Sequence, residues 1–124
     1  MTFLDTHIVI WLYKKEERLL SKNVRRALQN GEPVICPIVL LELQYLYENK
    51  KIREGADAFL ANLHRTIGLQ VDRQDWETVM RAALDLSWTR DPFDRIIVAH
   101  ALSRKAPLLT KDRTILKRYA GAVW

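Results

Sequence analysis

Residues 91–112 read DPFDRIIVAHALSRKAPLLTKD, a stretch that joins a helix signal to a strand signal. Asp91-Pro92 predicts the start of a helix, because Asp is a preferred N-cap and Pro is tolerated in the first helical turn. We expect this helix to continue to about Arg104. The apolar run Pro107-Leu108-Leu109 then predicts a short buried strand, and Asp112 precedes a further short helix.

The same alternation of short apolar runs and helical patterns extends over the rest of the chain. Strands are predicted at residues 2–4, 34–36 and 69–71, with a last one at 122–124, and helices separate them. Strands that alternate with helices indicate an α/β sandwich with a mostly parallel central sheet. A length of 124 residues suits one domain, residues 1–124, and is too short for two.

Composition and charge favour a cytoplasmic protein with a polyanionic partner. Lys and Arg outnumber Asp and Glu by 20 to 15, an excess that suits a polyanionic substrate but is also common in proteins that bind none. The one cysteine, Cys36, lies in an apolar run, which fits a buried thiol in a reducing compartment. The N-terminus lacks a basic segment before its apolar stretch, and no run is long enough for a membrane span.

Four acidic residues stand where a carboxylate is costly unless a positive group lies among them. Asp5 and Asp112 each follow an apolar strand closely, and ligands of parallel α/β sheets bind outside the carboxyl ends of the strands. Glu42 interrupts the core-facing stripe of the helix after the second strand. Asp94 lies in the first turn of its helix and is also expected to point inward. Together they predict one cation site.

Each of these acids also has a purely structural interpretation, which the sequence leaves open. Asp5 and Asp112 are suitable N-caps for the helices that follow them. Asp94 suits a capping box with Asp91, and Asp91 itself is foremost an N-cap. Glu42 is a possible partner for one buried arginine.

The pattern of ligand types narrows the chemistry of a shared site. Oxygen ligands favour Mg²⁺ or Mn²⁺, and the sequence contains no Cys-x-x-Cys or His-x-Glu-x-His spacing of the kind that binds zinc. Phosphate-binding glycine loops are absent as well. The three histidines are expected to be surface or packing residues, and the four tryptophans to be core or interface anchors.

Four motifs, in this order along the chain, resemble those of PIN-domain ribonucleases, and above all the VapC-type toxins of bacterial and archaeal toxin–antitoxin pairs. They are LDTH at 4–7 followed by Trp11, ELQYL at 42–46 after a Cys-Pro turn, DPFDRIIVAHAL at 91–102, and LLTKD at 108–112. The resemblance covers nearly the whole chain. It implies a PIN-like three-layer α/β/α sandwich.

The resemblance also implies roles for individual residues. The acids of the family's site correspond to Asp5, Glu42, Asp94 and Asp112. Asp91 is an additional acid that we expect to take part in metal binding only secondarily, and Thr6 and Thr110 match positions where the family often carries hydroxyls beside its acids. The family is known for RNA cleavage that depends on Mg²⁺ or Mn²⁺, for homodimers, and for inhibition by a small antitoxin of the VapB type.

We therefore expect a metal-dependent endoribonuclease that cleaves RNA phosphodiester bonds and serves as the toxin of such a pair. Arg90 and Arg95, beside the acids, are candidates to hold flanking phosphates. The helices at residues 38–47 and 54–66 are candidates for the groove that receives an antitoxin segment. The alternative is a PIN-like module that binds RNA or protein and has little nuclease activity.

Overall fold

A parallel β-sheet forms the centre of the structure, which is a computed structural model describing all residues 1–124. Its five strands are β1 (Thr2–Leu4), β2 (Pro33–Ile35), β3 (Gln70–Val71), β4 (Leu108–Leu109) and β5 (Ala122–Val123). They stand in the order β3-β2-β1-β4-β5, and every neighbouring pair is parallel. The predicted α/β fold is confirmed, with a sheet that is parallel throughout.

The central strands are apolar on both faces because helices cover both sides of the sheet. In β1, Phe3 pairs with Val34 of β2 on one side and with Leu108 of β4 on the other. Phe3, Leu4, Leu108 and Leu109 are completely buried. Continuous apolar runs of this kind are typical of strands in parallel sheets, where no face meets water.

Seven α-helices surround the sheet, and a single 3₁₀ turn lies between the first two. The helices are α1 (Thr6–Tyr13), α2 (Lys22–Asn30), α3 (Ile38–Glu48), α4 (Ala56–Ile67), α5 (Trp76–Leu84), α6 (Pro92–Ser103) and α7 (Arg113–Arg118), and the 3₁₀ turn is Glu17–Leu19. Helices α1, α3 and α4 pack together, and α6 packs against α3 and α5. None of these helices has the length and apolar character needed to cross a membrane.

Several helix ends are set by residues with a strong preference for such positions. The Ser21 hydroxyl accepts from the Val24 N–H at the start of α2, and the Asp91 carboxylate accepts from the Asp94 N–H at the start of α6. Gly68 ends α4 with φ of 72°, a left-handed conformation that glycine adopts without steric penalty.

The structure differs from the sequence predictions at three places. Helix α4 begins at Ala56, whereas the predicted start was residue 54. The 3₁₀ turn at 17–19 was not predicted. Two aspartates, Asp72 and Asp75, precede α5, and the sequence alone offers either one as its N-cap. Asp75 is the cap, with its carboxylate accepting from the Thr78 N–H. Asp72 instead bonds to His100 and Arg104 of the α6 end.

The strand order places a crevice beside β1. From β1 the chain adds β2 and β3 on one side, and it then crosses to the other side to add β4 and β5. Such a reversal leaves a gap between the carboxyl ends of the two strands where the order changes, and ligands of open α/β sheets bind there. Asp5 follows β1, and Thr110 follows β4, so both lie at this gap.

Candidate active site

All four predicted acids line one cavity of about 440 Å³ at this edge of the sheet. The lining residues are Asp5, Thr6, His7, Ile10, Trp11, Glu42, Leu46, Asp94, Lys111 and Asp112. The acids come from four different segments of the chain, namely the ends of β1 and β4 and the helices α3 and α6.

Asp5 is the most deeply buried of the acids, with 4% of its surface exposed. One carboxylate oxygen, Oδ1, accepts from the Thr6 N–H at 2.8 Å, and the other, Oδ2, accepts from the Thr110 hydroxyl at 2.7 Å. Asp5 is therefore both the N-cap of α1 and a cavity residue. The two interpretations that the sequence left open apply together.

Asp112 is linked to Asp5 through the same threonine. The Asp112 backbone N–H donates to the Thr110 hydroxyl at 3.0 Å, while that hydroxyl donates to Asp5. The Asp112 carboxylate caps α7 by accepting from the Ile115 N–H at 2.9 Å through Oδ1. Its other oxygen takes no part in the cap. Thr110, which is completely buried, holds the two acids in register.

Glu42 is half-buried, and its partner is a hydroxyl. The Thr6 hydroxyl donates to the Glu42 carboxylate, so the two predicted supporting threonines each contact an acid. Burial raises the pKa of Glu42, the Thr6 bond lowers it, and the charges of Asp5 and Asp91 raise it further. The proposed arginine partner is absent, since none of the ion pairs in the chain involves Glu42.

Asp94 has the most strongly raised pKa of the four cavity acids. Burial, followed by the charges of Asp5, Asp91, Asp112 and Glu42, raises its pKa from 3.8 to about 7. No protein side chain donates to its carboxylate, while its backbone N–H donates to the Asp91 carboxylate. Near neutral pH this carboxyl is therefore partly protonated unless a positive charge joins the cavity.

The three remaining predicted residues lie outside the cavity lining. Asp91 is exposed and caps α6, as expected, although its charge still reaches Asp94 and Glu42. Arg90 is exposed. Arg95 donates to carbonyl oxygens at the end of α5 and beyond it, with Nε on Ala83 at 2.7 Å. Its guanidinium is thereby held on α5, and we propose no phosphate contact for it.

Five cavity residues were not predicted as site residues from the sequence, namely the apolar Ile10 and Leu46 together with His7, Trp11 and Lys111. His7 and Trp11 are four residues apart on α1, a spacing that places them on the same helix face just after Asp5. Their rings are in edge contact, with centroids 5.1 Å apart. Burial lowers the pKa of His7 against the pull of Asp5, so its imidazole is neutral near pH 7. The sequence signal available for His7 and Trp11 was their i, i+4 spacing on the helix that begins directly after Asp5.

The donor chemistry of the cavity fits a hard divalent cation, but the side chains are not closed around one. Carboxylate oxygens are the ligands such cations prefer, and the raised pKa of Asp94 reflects negative charge that a cation would offset. As the side chains stand, no group of three His, Cys, Asp or Glu residues is arranged to hold an ion. The hydroxyl bonds of Thr6 and Thr110 occupy part of the donor set.

Comparison with known proteins agrees with this arrangement. Residues 2–122 match the profile of the PIN domain. The chain belongs to the PIN domain family. The match spans every strand and helix that supplies a cavity acid.

Individual relatives of this PIN domain extend the comparison. It is 29% identical over 118 residues to Ribonuclease VapC22 of Mycobacterium tuberculosis (strain ATCC 25618 / H37Rv), covering 90% of this chain and 87% of that protein. The resemblance to VapC-type proteins is thus confirmed.

Solved structures show the same fold. VapBC2 from Rickettsia felis, bound to a promoter DNA fragment, has a TM-score of 0.70 at 21% identity and covers 94% of this chain and 91% of its own. A toxin–antitoxin complex from Klebsiella pneumoniae has a TM-score of 0.66 at 16% identity, covering 100% and 97%. DNA-bound VapBC from Salmonella typhimurium has a TM-score of 0.60 at 23% identity, covering 98% and 93%.

Proposed function

We propose that this PIN domain is an endoribonuclease that depends on Mg²⁺ or Mn²⁺ and acts in the cytoplasm as the toxin of a VapBC-type pair. The main support for this proposal is that four carboxylates line one cavity, located where the strand order of the sheet reverses. The name of the relative from Mycobacterium tuberculosis supports the choice of RNA as the substrate.

The contacts of the cavity residues suggest a separate role for each group of side chains. Asp5, Glu42, Asp94 and Asp112 would hold the cation, and Asp91 adds negative charge from the rim. When bound, a divalent cation lowers the pKa of a water and offsets charge on the phosphoryl transition state. Thr6 and Thr110 keep Glu42 and Asp5 in place. Asp94 or Asp112, whichever the cation engages less fully, would orient the attacking water.

RNA cleavage that requires a divalent cation is the direct test. We expect the purified protein to cut single-stranded RNA in Mg²⁺ or Mn²⁺, to lose this activity in EDTA, and to regain it when the metal is restored in excess. Gel analysis of a labelled RNA, with the matching DNA as a control substrate, measures this. Binding of the RNA without cleavage in either metal would contradict the nuclease proposal and favour the binding-module alternative.

A separate inhibitory chain is the second part of the proposal. Helix α3 exposes Leu41, Tyr45 and Tyr47, each more than 40% accessible, and its Glu42 and Leu46 line the acid cavity. An amphipathic segment of an antitoxin would dock by its apolar face in a groove that includes α3 and α4, and a basic side chain on it would be attracted to the acids. The homodimer that the resemblance implies stays a prediction.

Expression of the protein alone is expected to arrest bacterial growth, because an unrestrained ribonuclease degrades RNA that the cell needs. Co-expression of the small gene next to it should restore growth. Colony counts after induction measure both effects, and the Asp94→Asn variant serves as the harmless control. Normal growth with an active, well-expressed enzyme would rule out the toxin role while leaving the nuclease intact.

A further inference from the structure

Lys111 is the only lysine or arginine among the residues that line the acid cavity. It directly precedes Asp112, and its backbone N–H donates to His7 Nε2 at 2.8 Å. Its ammonium nitrogen lies 6.0 Å from the centre of the Trp11 ring and 5.4 Å from that of Trp124. The position of this cation at the entrance is therefore set by the backbone and by two indole faces.

The ammonium group of Lys111 has no anionic partner within the protein, although four carboxylates line the same cavity. None of the ion pairs in the chain includes it. The indoles attract the charge through their ring faces but take up none of its hydrogen-bond donors in a strong bond. Three N–H donors are thus presented to whatever enters the cavity.

The residues around Lys111 form a connected cluster, in which Trp11 and Trp124 also pack against the hydrophobic core. Trp11 and Trp124 are tilted against each other with ring centres 6.0 Å apart, and the Trp124 carbonyl oxygen accepts from the Asn23 side chain. His7 contacts Trp11 by its ring edge and bonds to the Lys111 backbone. Trp124 is thereby held beside the site, where its ring lies 5.4 Å from the Lys111 ammonium nitrogen.

The negative phosphates of a nucleic acid strand are repelled by the acids of this cavity, and Lys111 offsets part of that repulsion. The carboxylates repel every phosphate except one neutralised by a cation, so the phosphates on either side of the scissile one need a positive group nearby. A lysine fixed at the rim meets this need without entering the acid cluster, where it would pair with a carboxylate.

We propose that Lys111 binds the RNA phosphate adjacent to the scissile linkage, and that Trp11, Trp124 and His7 are the positioning residues that hold its ammonium there. This inference rests on the proposed function for its substrate class. It goes beyond that function by assigning a phosphate subsite to residues outside the four acids and their two threonines.

The test measures RNA binding and cleavage separately. A short fluorescein-labelled single-stranded RNA is titrated with protein carrying Asp94→Asn, so that binding is read by anisotropy without cleavage. Adding Lys111→Ala should weaken binding by about three- to tenfold at low salt and reduce the slope of log K against log salt by about 0.7, the value for one lost phosphate contact on a single strand. In the active protein, the same change should raise KM more than it lowers kcat.

Matched variants separate a phosphate contact from a general loss of positive charge. Lys117→Ala removes an exposed lysine from the last turn of α7, outside the cavity, and should leave the binding constant within twofold of the parent. Lys111→Arg should restore most of the binding, whereas Trp11→Leu should weaken it less than Lys111→Ala and leave the salt slope unchanged. These comparisons use folded proteins verified by circular dichroism.

The outcomes distinguish this inference from the proposed function. Equal binding and equal salt slopes for Lys111→Ala and Lys117→Ala would overturn the subsite, even if the enzyme cuts RNA normally. If Lys111→Ala weakens RNA binding but the wild-type protein never cuts the RNA, the phosphate contact of Lys111 is supported and the proposed nuclease function is overturned. A wild-type protein that binds no RNA at all would overturn both.

Discussion

Replacing Asp94 with Asn should lower the rate of RNA cleavage at least about 100-fold, as expected when one charged group is removed from around a developing transition state. The same variant should be more stable than the wild type in EDTA at pH 8. Burial and the neighbouring carboxylates raise the pKa of Asp94 to about 7, so its ionised form is disfavoured in the folded protein. After allowance for solvent screening of a half-buried group, the gain should be about 1–2 kcal/mol.

The pH dependence of this gain has a definite sign. An aspartate whose folded pKa is raised makes the protein less stable as pH rises from 3.8 to about 7, and the loss is complete above that range. The difference between Asp94→Asn and the wild type should therefore be near zero at pH 4 and largest at pH 8. Denaturant melts in EDTA at each pH measure it. Comparing the two proteins at the same pH cancels His100, whose pKa is lowered by burial.

In the presence of a divalent cation, the wild-type protein should become more stable than the Asp94→Asn variant. Wild-type protein should gain about 2.7 kcal/mol at a metal concentration 100 times the dissociation constant, and Asp94→Asn should gain much less. Matched NaCl controls for ionic strength. An equal gain in both proteins, or full cleavage activity in a folded Asp94→Asn protein, would remove Asp94 from the site. Asp94 is a cleaner target than Asp5, because Asp5 also accepts bonds from Thr6 and Thr110 and its replacement would disturb the fold.

Replacing Asp72 with Ala should lower the free energy of unfolding by about 2–4 kcal/mol, because it leaves two partners without their acceptor. The Asp72 carboxylate accepts from His100 Nε2 at 2.7 Å and from Arg104 through Nε at 2.8 Å and a second nitrogen at 3.0 Å. Although burial acts to raise the pKa of Asp72, these bonds hold it below its ordinary value. His100 is completely buried, and its Nδ1 has no partner.

The control for Asp72 is another carboxylate paired with an arginine. Glu77 lies 3.4 Å from Arg81 on α5, and both side chains are more than 70% exposed. Glu77→Ala should change the stability by less than about 0.5 kcal/mol, as is usual for exposed pairs. Urea melts of the two variants give the comparison. RNA cleavage per folded molecule should stay at the wild-type level in both, and similar stabilities would show that the Asp72 cluster contributes little.

Local patterns in the sequence were sufficient for the fold class and for most helix starts. Asp91-Pro92 begins α6 as predicted, because a cap depends on a hydrogen bond to an N–H only three residues away. The apolar runs at 2–4 and 108–109 became central strands, since a parallel sheet buries both faces of a strand. The acids at the carboxyl ends of β1 and β4 could be placed at one edge by the same reasoning.

Contacts between distant segments could not be read from these patterns. Asp72 meets His100 across 28 residues and Arg104 across 32, because strand β3 and the end of α6 are brought together by packing. Sequence spacing alone offered Asp72 only as a cap. In the same way, nothing near Arg95 in sequence indicated that the carbonyl at Ala83, 12 residues earlier, would hold its guanidinium.

By itself, the sequence determined that this is a parallel α/β protein with its acids gathered at one edge, since strand burial and helix capping are local properties with short reach. Only the tertiary structure decided how those acids are held and what accompanies them. Thr110 joins Asp5 to Asp112 across 105 residues of chain, and Lys111 meets the aromatic rings of Trp11 and Trp124. Such contacts depend on the distances between packed helices and strands, which no local stretch of residues encodes alone.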